Sequence, residues 1–161
     1  PISLEAASFL AECAEEMGGA AALKGIELIV ENVPEDAAFH ADRYRSRQVL
    51  NNLLGNAIKF TPAAGSIRLG AATAGDRVEL SITDEGPGIP PEEVPRLFRA
   101  HIRGENAVEM DDPQRKGAGL GLSIVKRLVE MQNGTVRVER GPQGGARFVC
   151  SFPATVPNAP F

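Results

Sequence analysis

Apolar residues recur along this chain with two periods, one typical of helices and one typical of strands. Helical spacing covers three segments, residues 5–24, 43–59 and 119–134. Alternation or short apolar runs predict strands at residues 26–30, 38–41, 66–73 and 77–86, and a strand pair within residues 135–153. Gly75 and Asp76 separate two of these strands and indicate a hairpin turn.

The order of these elements predicts an α+β fold. Most strands come in adjacent pairs, so we expect a two-layer α/β sandwich in which three helices cover one face of a mixed sheet of about five strands. Regular structure thins out from Gly86 to Gly117, where only a short helical piece at 91–99 is predicted, and the lid is predicted at about 91–118. Such a long irregular segment in a compact domain is typically a functional lid. Residues 1–161 are predicted to form a single domain with a frayed tail at about 154–161.

Composition narrows the classes of partner. The formal net charge of −4 and the isoelectric point of about 5.3 predict no contact with nucleic acid and no direct contact with a membrane surface. No apolar run has membrane-spanning length, and no signal peptide opens the chain. Cys13 and Cys150 are too few for a disulfide framework and lack metal-ligand spacing. We expect a reduced, cytoplasmic setting and, because the chain starts at Pro1 rather than Met, a fragment of a larger protein.

The second predicted helix carries a polar stripe. At about 100° per residue, one group of polar residues falls opposite Leu50, Leu54 and Ala57. The group is Arg45, Gln48, Asn52, Asn56 and Lys59. A solvated helix face is the plainer interpretation, but asparagine weakens a helix and solvent faces usually carry Glu, Lys and Gln. Amide oxygens suit Mg²⁺ and a lysine suits phosphate, so the stripe is a candidate site for a metal–phosphate ligand.

Two glycine motifs flank the predicted lid. "DEGPGIP", at the end of a strand, places Asp84 before Gly86 and Gly88, which alone fits a simple turn equally well. "KGAGLGLSIV" places glycines at the predicted start of the third helix, where backbone N–H groups favour an anion. Those glycines are Gly117, Gly119 and Gly121. The third glycine of a Rossmann fingerprint would fall at Leu122, and no P-loop motif occurs, so neither phosphate site is predicted.

In this order, the motifs resemble the ATP-binding catalytic domain of sensor histidine kinases. These belong to the GHKL superfamily, with gyrase, the MutL mismatch-repair proteins and the heat-shock chaperone ATPases. "NNLLGNAIKFT" is similar to the N box, "DEGPGIP" to the first glycine box, "LFRAHIRGE" to the F box and "KGAGLGLSIV" to the second glycine box. The resemblance covers nearly the whole chain, including the closing "GGARFVCSFP". It implies a Bergerat-type fold that holds ATP and Mg²⁺ beneath the lid.

The resemblance implies roles for residues of the N box. Asn56 would be the Mg²⁺ ligand, and Asn52, one turn away, would support the metal or the phosphates. Lys59 would neutralise phosphate charge. Phe60 holds the position of an aromatic that packs near the adenine in relatives. The residues assigned to catalysis are Asn52, Asn56 and Lys59.

The resemblance also implies an adenine site in the first glycine box and phosphate contacts beyond it. Asp84 would accept a hydrogen bond from the exocyclic amine of adenine, and guanine, which has a carbonyl there, would be rejected. Gly86 and Gly88 would let the backbone pass close to the base, with Ile89 as an apolar wall. The other expected nucleotide contacts are Phe98, Arg115, Lys116, Gly117, Gly119, Leu120, Gly121 and Leu122. Core packing is the plainer interpretation for Leu120 and Leu122.

Three residues depart from the family pattern. His101 stands where a second aromatic is common in the F box, and Ala118 replaces a common Thr or Ser. Ala146 stands where relatives often carry Thr. None of the three removes a proposed ligand. His101 is interpreted as a lid-packing residue in preference to a catalytic base.

The resemblance implies a kinase domain that donates the γ-phosphoryl group of ATP to a histidine on a separate dimerisation and acceptor domain, with a response regulator downstream. The only histidines here are His40 and His101, and neither lies in the H-E-[LF]-R-T-P context of an acceptor helix. The chain is therefore expected to lack the phosphoacceptor. The signal, the response regulator and any membrane anchor of the parent protein stay open.

Other functions also stay open. Hydrolases and anti-sigma-factor-type serine kinases of the superfamily generally place a glutamate base at the position of Asn52. An amide cannot take a proton at neutral pH, which argues against hydrolysis. A pseudokinase that acts by binding partners is disfavoured by the intact Asn56 and Asp84, while the altered F box keeps it open. Nucleotide binding by the purified domain separates the pseudokinase from the others.

Overall fold

The computed structural model of the protein describes residues 2–96 and 113–155, with the backbone alone at residue 96 and at residues 113–120. The α-helices in this part of the chain are α1 (Ala6–Leu23), α2 (Arg43–Phe60) and α3 (Pro113–Glu130). The strands are β1 (Ile2–Glu5), β2 (Glu27–Val30), β3 (Ala38–Ala41), β4 (Ser66–Ala74), β5 (Arg77–Thr83), β6 (Thr135–Arg140) and β7 (Ala146–Pro153). A 3₁₀ helix spans Pro91–Arg96. Among the described helices, none combines the length and apolar character needed to cross a membrane.

Five strands form one mixed sheet in the order β2–β4–β5–β7–β6. The pair β2–β4 is parallel, and the remaining neighbours are antiparallel. The strands β1 and β3 form a separate antiparallel pair in which Ile2 lies opposite Ala41. The predicted α+β fold, with a mixed sheet and three helices, is confirmed.

The core lies between the helices and one face of the sheet. Alternate residues of β4 and β5 are buried, as a period of two requires: Ile67, Leu69, Ala71, Val78, Leu80 and Ile82. Phe39 packs between Phe9 and Phe152, with ring centroids 5.4 and 5.2 Å away. Cys13 and Cys150 are free thiols in this core, and burial raises the pKa of each to about 12. Neither thiol is therefore poised as a reactive thiolate.

The largest differences from the predicted elements are at β1 and at the start of the third helix; in addition, the strand predicted at 77–86 ends at Thr83 and the helix predicted to 134 ends at Glu130. The strand β1 was not predicted, because four residues give a weak local signal and the strand depends on pairing with β3, which lies beyond α1 and β2 in the sequence. The third helix begins at Pro113, inside the segment predicted as a lid, and not at residue 119. Proline is favoured at the first helical position, where its missing N–H needs no intrahelical partner. The helix therefore begins at this proline and not at the glycines that follow it.

Side chains from neighbouring elements hold both ends of α2. At the start of the helix, Asp42 accepts a hydrogen bond of 2.8 Å from a backbone N–H of the first turn. The backbone N–H of Asp42 in turn donates to Gln132, just beyond α3, at 2.7 Å. At the other end, the ammonium of Lys24 donates to the carbonyl oxygens of Ile58 and Lys59, each 2.9 Å away. These contacts fix the helix that carries the polar stripe against α1 and α3.

Candidate functional site

The centre of the candidate site is a buried carboxylate just after β5. Asp84 is 6% exposed, and its Oδ1 accepts hydrogen bonds from the backbone N–H groups of Gly86 at 2.9 Å and Ala146 at 3.0 Å. Both donors reach the same oxygen, so these two bonds leave the lone pairs of Oδ2 unused. Burial raises the pKa of Asp84 above its ordinary value, and the two backbone N–H groups oppose that rise. The result is an oriented acceptor in surroundings of low polarity.

Glycines of the β6–β7 turn close over this carboxylate. A Cβ atom on Gly145 would lie 2.1 Å from the backbone oxygen of Asp84 and 2.7 Å from its Oδ1. A Cβ atom on Gly88, whose φ is +79°, would lie 2.4 Å from the carbonyl oxygen of Gly144. No side chain fits at either position unless backbone moves. The two loops therefore pack backbone to backbone around Asp84.

The first glycine box also contacts the end of α2. A Cβ atom on Gly86 would lie 2.9 Å from the carbonyl oxygen of Phe60. Lys59 and Phe60 are half-buried in the last turn of that helix. The structure therefore brings the first glycine box to the C-terminal end of the polar stripe.

Asn56 faces the second glycine box. A Cβ atom on Gly121 would lie 3.7 Å from Nδ2 of Asn56, an ordinary van der Waals distance. Within the described part of the chain, this buried Nδ2 has no hydrogen-bond partner. Buried polar atoms without a partner are rare in native proteins, and a bound ligand, ion or water commonly explains them. The Nδ2 of Asn56 is therefore a candidate hydrogen-bond donor to a ligand between α2 and α3.

Three other residues of the polar stripe, Arg45, Gln48 and Asn52, have their described contacts elsewhere. Arg45 lies near the far end of α3, with its Nη1 3.6 Å from the sulfur of Met131. Gln48 and Asn52 line a cavity of about 330 Å³ whose other lining residues are Glu16, Tyr44, Arg47 and Asn51. Asn52 is thus accessible from the side of α1, one turn from Asn56.

The second glycine box lies inside α3. Gly117, Gly119 and Gly121 follow the helix start at Pro113, so the prediction that they open the helix is wrong for this conformation. A backbone N–H inside a helix donates to the carbonyl four residues earlier, whereas the anion site expected of these glycines requires free N–H groups at a helix start. Phosphate binding by these backbone groups would therefore require the first turns of α3 to open.

The remaining predicted contacts are described to different extents. Leu122 is 2% exposed and belongs to the core, which supports its interpretation as a packing residue. Ile89 is partly buried against the same core. The backbone alone is described for Arg115, Lys116 and Leu120. Outside the described residues lie Phe98 and His101.

No role was predicted for the backbone of the β6–β7 turn. The N–H of Ala146 holds Asp84 across a separation of 62 residues, and a backbone donor carries no residue type that a pattern could reveal. The adjacent Gly144 and Gly145 were the available signal, since paired glycines indicate a turn or a close backbone approach.

The geometry suits a ligand that offers a hydrogen-bond donor at one end and negative charge at the other. Asp84 supplies the acceptor, and Asn56 and Lys59 supply an amide and a cation on α2. Among the residues that the structure describes, no group of three or more His, Cys, Asp or Glu could hold a metal ion. A divalent cation bound here would take most of its oxygen ligands from phosphate or water, which fits a single amide from Asn56.

Comparison of the sequence with known proteins gives a family and close relatives. The family model described as histidine kinase-, DNA gyrase B- and HSP90-like ATPase matches residues 41–156. The adaptive-response sensory kinase SasA of Trichormus variabilis is 40% identical over 124 residues, which are 76% of this chain and 30% of that protein. The chain thus spans less than a third of this curated relative.

Comparison with solved structures also gives matches over nearly the whole chain. Full-length ShkA in complex with AMPPNP matches with a TM-score of 0.80 and 35% identity, over 99% of this chain and 32% of that chain. The catalytic domain of the histidine kinase ThkA, in a nucleotide-free form, matches with a TM-score of 0.79 and 25% identity, over 94% of this chain and 95% of that one.

Proposed function

The chain belongs to the family of histidine kinase-, DNA gyrase B- and HSP90-like ATPases, and we propose that it binds Mg-ATP and donates the γ-phosphoryl group to a histidine on a separate domain. It is the ATP-binding catalytic domain of a sensor histidine kinase, similar to those of SasA and ThkA. The proposed acceptor is the dimerisation and histidine-phosphotransfer domain of the parent protein. The proposed setting is the cytoplasm, with a response regulator as the next acceptor.

The observation that carries this proposal is the buried, oriented carboxylate of Asp84. Its Oδ1 is held by two backbone N–H groups, so Oδ2 can accept from the exocyclic amine of adenine. The low polarity of the site strengthens that hydrogen bond and penalises a base that presents a carbonyl to it. Asp84 would therefore both bind adenine and select it over guanine.

The phosphates would lie along the last turns of α2. Lys59 would offset their charge. The buried Nδ2 of Asn56, which faces Gly121, would donate to a phosphate oxygen, and the amide oxygen of the same side chain would complete the Mg²⁺ shell. Bound ATP supplies the transferable phosphoryl group. The contribution of this chain is to position that group and to balance its charge.

We expect Asn56→Ala to remove the Mg²⁺ dependence of ATP binding more than it removes binding of the base. The amide on α2 is the proposed protein contact to the cation, whereas Asp84, the proposed contact to the base, lies in the loop after β5. Calorimetric titration with ATP in the presence and absence of Mg²⁺ measures the difference. Asn51→Ala is a matched control, because the Asn51 side chain hydrogen-bonds Glu16 of α1, whereas Asn56 faces Gly121 of α3. An Asn56 variant whose ATP affinity rises with Mg²⁺ as in wild type would show that Asn56 is not the ligand.

The isolated domain is expected to bind ATP without labelling itself or turning ATP over usefully. His40 is exposed in β3 of the small sheet, whereas Asp84 follows β5 of the main sheet. Water could replace the acceptor, but the amide of Asn52 offers no base to activate it. Adding the acceptor domain of the parent protein should restore labelling in trans, slowly, because the linker's effective concentration is lost.

The assay is radiolabelled ATP, with acid-labile and acid-stable phosphate counted separately. Acid-labile label on the added acceptor domain is the expected result. Acid-stable labelling of a protein substrate would favour the serine-kinase function instead. Rapid phosphate release by the domain alone would favour the hydrolase, and no nucleotide binding at all would favour the pseudokinase.

A further inference from the structure

Glu85 makes a two-point contact with the start of β4. Its Oε1 accepts a hydrogen bond of 2.8 Å from the hydroxyl of Ser66, and its Oε2 accepts one of 3.0 Å from the backbone N–H of the same residue. These bonds lower the pKa of Glu85 below its ordinary value, with a smaller contribution from the guanidinium of Arg68. The exposed carboxylate is therefore held as an anion in one orientation.

The segment that Glu85 contacts is a close-packed turn between α2 and β4. Gly65 donates to the carbonyl of Pro62 at 3.0 Å, which closes the turn between α2 and β4. A Cβ atom on Gly65 would lie 2.7 Å from Cγ2 of the fully buried Thr61 and 3.1 Å from Oε2 of Glu85. The buried Thr61 therefore favours glycine in this turn, and a side chain at residue 65 would also crowd the carboxylate of Glu85.

The loop after β5 therefore contacts both ends of the segment that joins α2 to β4. Gly86 abuts the carbonyl of Phe60, and Glu85 is bonded to Ser66. The consecutive residues Asp84 and Glu85 point to different neighbours, Asp84 towards Ala146 and Glu85 towards β4. One loop thus carries both the proposed adenine contact and a two-point attachment to the start of β4, which follows the helix end that bears Lys59.

We infer that Glu85 is a positioning residue that fixes the distance between the adenine contact at Asp84 and the phosphate contacts at the end of α2. This inference rests on the proposed function, because it assumes that one nucleotide spans both parts. Its consequence is specific. Loss of the Glu85–Ser66 contact should penalise a ligand that engages both parts, ADP, more than a ligand that engages the base part alone, adenosine.

The test compares Glu85→Ala and Ser66→Ala with wild type in titrations of ADP and adenosine followed by NMR. We expect the ADP dissociation constant to rise roughly threefold to tenfold in Glu85→Ala, and less in Ser66→Ala, which keeps the backbone donor. The adenosine dissociation constant should change by less than about twofold. The double variant should be no weaker than Glu85→Ala, because the two residues act through one contact. Ser66→Thr, which keeps the hydroxyl, should restore wild-type binding.

Glu79→Gln is the matched control, since Glu79 lies on β5 and pairs with Arg137 at 2.8 Å, away from the Ser66 contact. Hydrogen exchange of the Ser66 amide without nucleotide tests the contact itself, and it should accelerate in Glu85→Ala and not in Glu79→Gln. Equal losses for ADP and adenosine, or unchanged ADP binding, would overturn the inference while leaving the proposed function intact. A wild-type domain that binds neither ligand would overturn both.

Discussion

Replacing Asp84 with Asn is expected to raise the dissociation constant of ADP by more than about tenfold while the fold persists. The substitution removes a hydrogen bond from adenine to a charged acceptor, which is worth about 1.5–3 kcal/mol. The new amide nitrogen is itself a donor and would face the amine of adenine, which is also a donor. The fold should persist because the remaining amide oxygen can still accept from Gly86 and Ala146, which hold Oδ1 in wild type. Calorimetric titration with ADP, beside circular dichroism, measures both outcomes.

Asp76→Asn, in the exposed β4–β5 turn, is the matched control because it removes the same charge away from the site. Its ADP affinity should equal that of wild type. If Asp84→Asn also binds ADP like wild type, Asp84 is not the adenine acceptor.

The pH dependence gives an independent check of the same carboxylate. Because burial raises the pKa of Asp84, its protonation on acidification begins at a higher pH than for an ordinary aspartate. ADP affinity of the wild type should therefore fall as the pH is lowered through this raised pKa, and the Asn variant should lack that step. The free energy of unfolding should change in the opposite direction. Because the pKa of Asp84 is raised in the folded state, ionisation of this carboxyl destabilises the fold, and stability should increase as the pH falls through the raised pKa. The neutral Asn variant should therefore not lose stability at neutral pH for this reason.

Replacing Gly145 with Ala is expected to destabilise the domain by about 3 kcal/mol, at the upper end of the usual cost of overpacking. The new methyl group would lie 2.1 Å from the backbone oxygen of Asp84, where no flexible side chain can yield. The loop must then move and weaken the bond from Ala146 to Asp84, so ADP affinity should fall as well. Urea unfolding monitored by circular dichroism gives the free energy of unfolding.

Gly19→Ala is the control for this substitution. Gly19 lies exposed within α1, and a Cβ atom there meets nothing within 4 Å, so alanine should stabilise the domain by up to about 1 kcal/mol through helix propensity. A Gly145→Ala domain as stable as wild type would show that the β6–β7 turn does not pack on Asp84 as described.

Local periodicity was sufficient to predict most helices and strands but not the contacts that build the site. The stripe with Asn52, Asn56 and Lys59 follows from helical spacing alone, because α2 is regular from end to end. Helical spacing does not show which neighbours these side chains contact: Asn56 faces Gly121, whereas Asn52 lines a cavity beside α1. Those facts depend on how three helices pack, which is a tertiary property.

The closure around Asp84 illustrates a second limit. The motif "DEGPG" marks the loop, but the partner that orients the carboxylate is a backbone N–H 62 residues further along the chain. Such a contact requires β5 and β7 to be neighbours in the sheet, with Thr83 opposite Arg147. Strand order is not encoded in the local alternation of apolar residues, so the pairing could not be read from either strand alone.

The contact between Lys24 and the end of α2 bears on how an acidic domain accepts an anion. The C-terminal end of a helix carries the negative pole of its dipole, equivalent to about half an elementary charge, and the proposed phosphate site lies beside that pole. The ammonium of Lys24 lies 2.9 Å from two carbonyl oxygens at this helix end. Its positive charge offsets the repulsion between the helix dipole and a bound phosphate. The net charge of −4 argues against a nucleic-acid surface yet says little about one small polyanion, because its binding depends on the few cations at a single helix end.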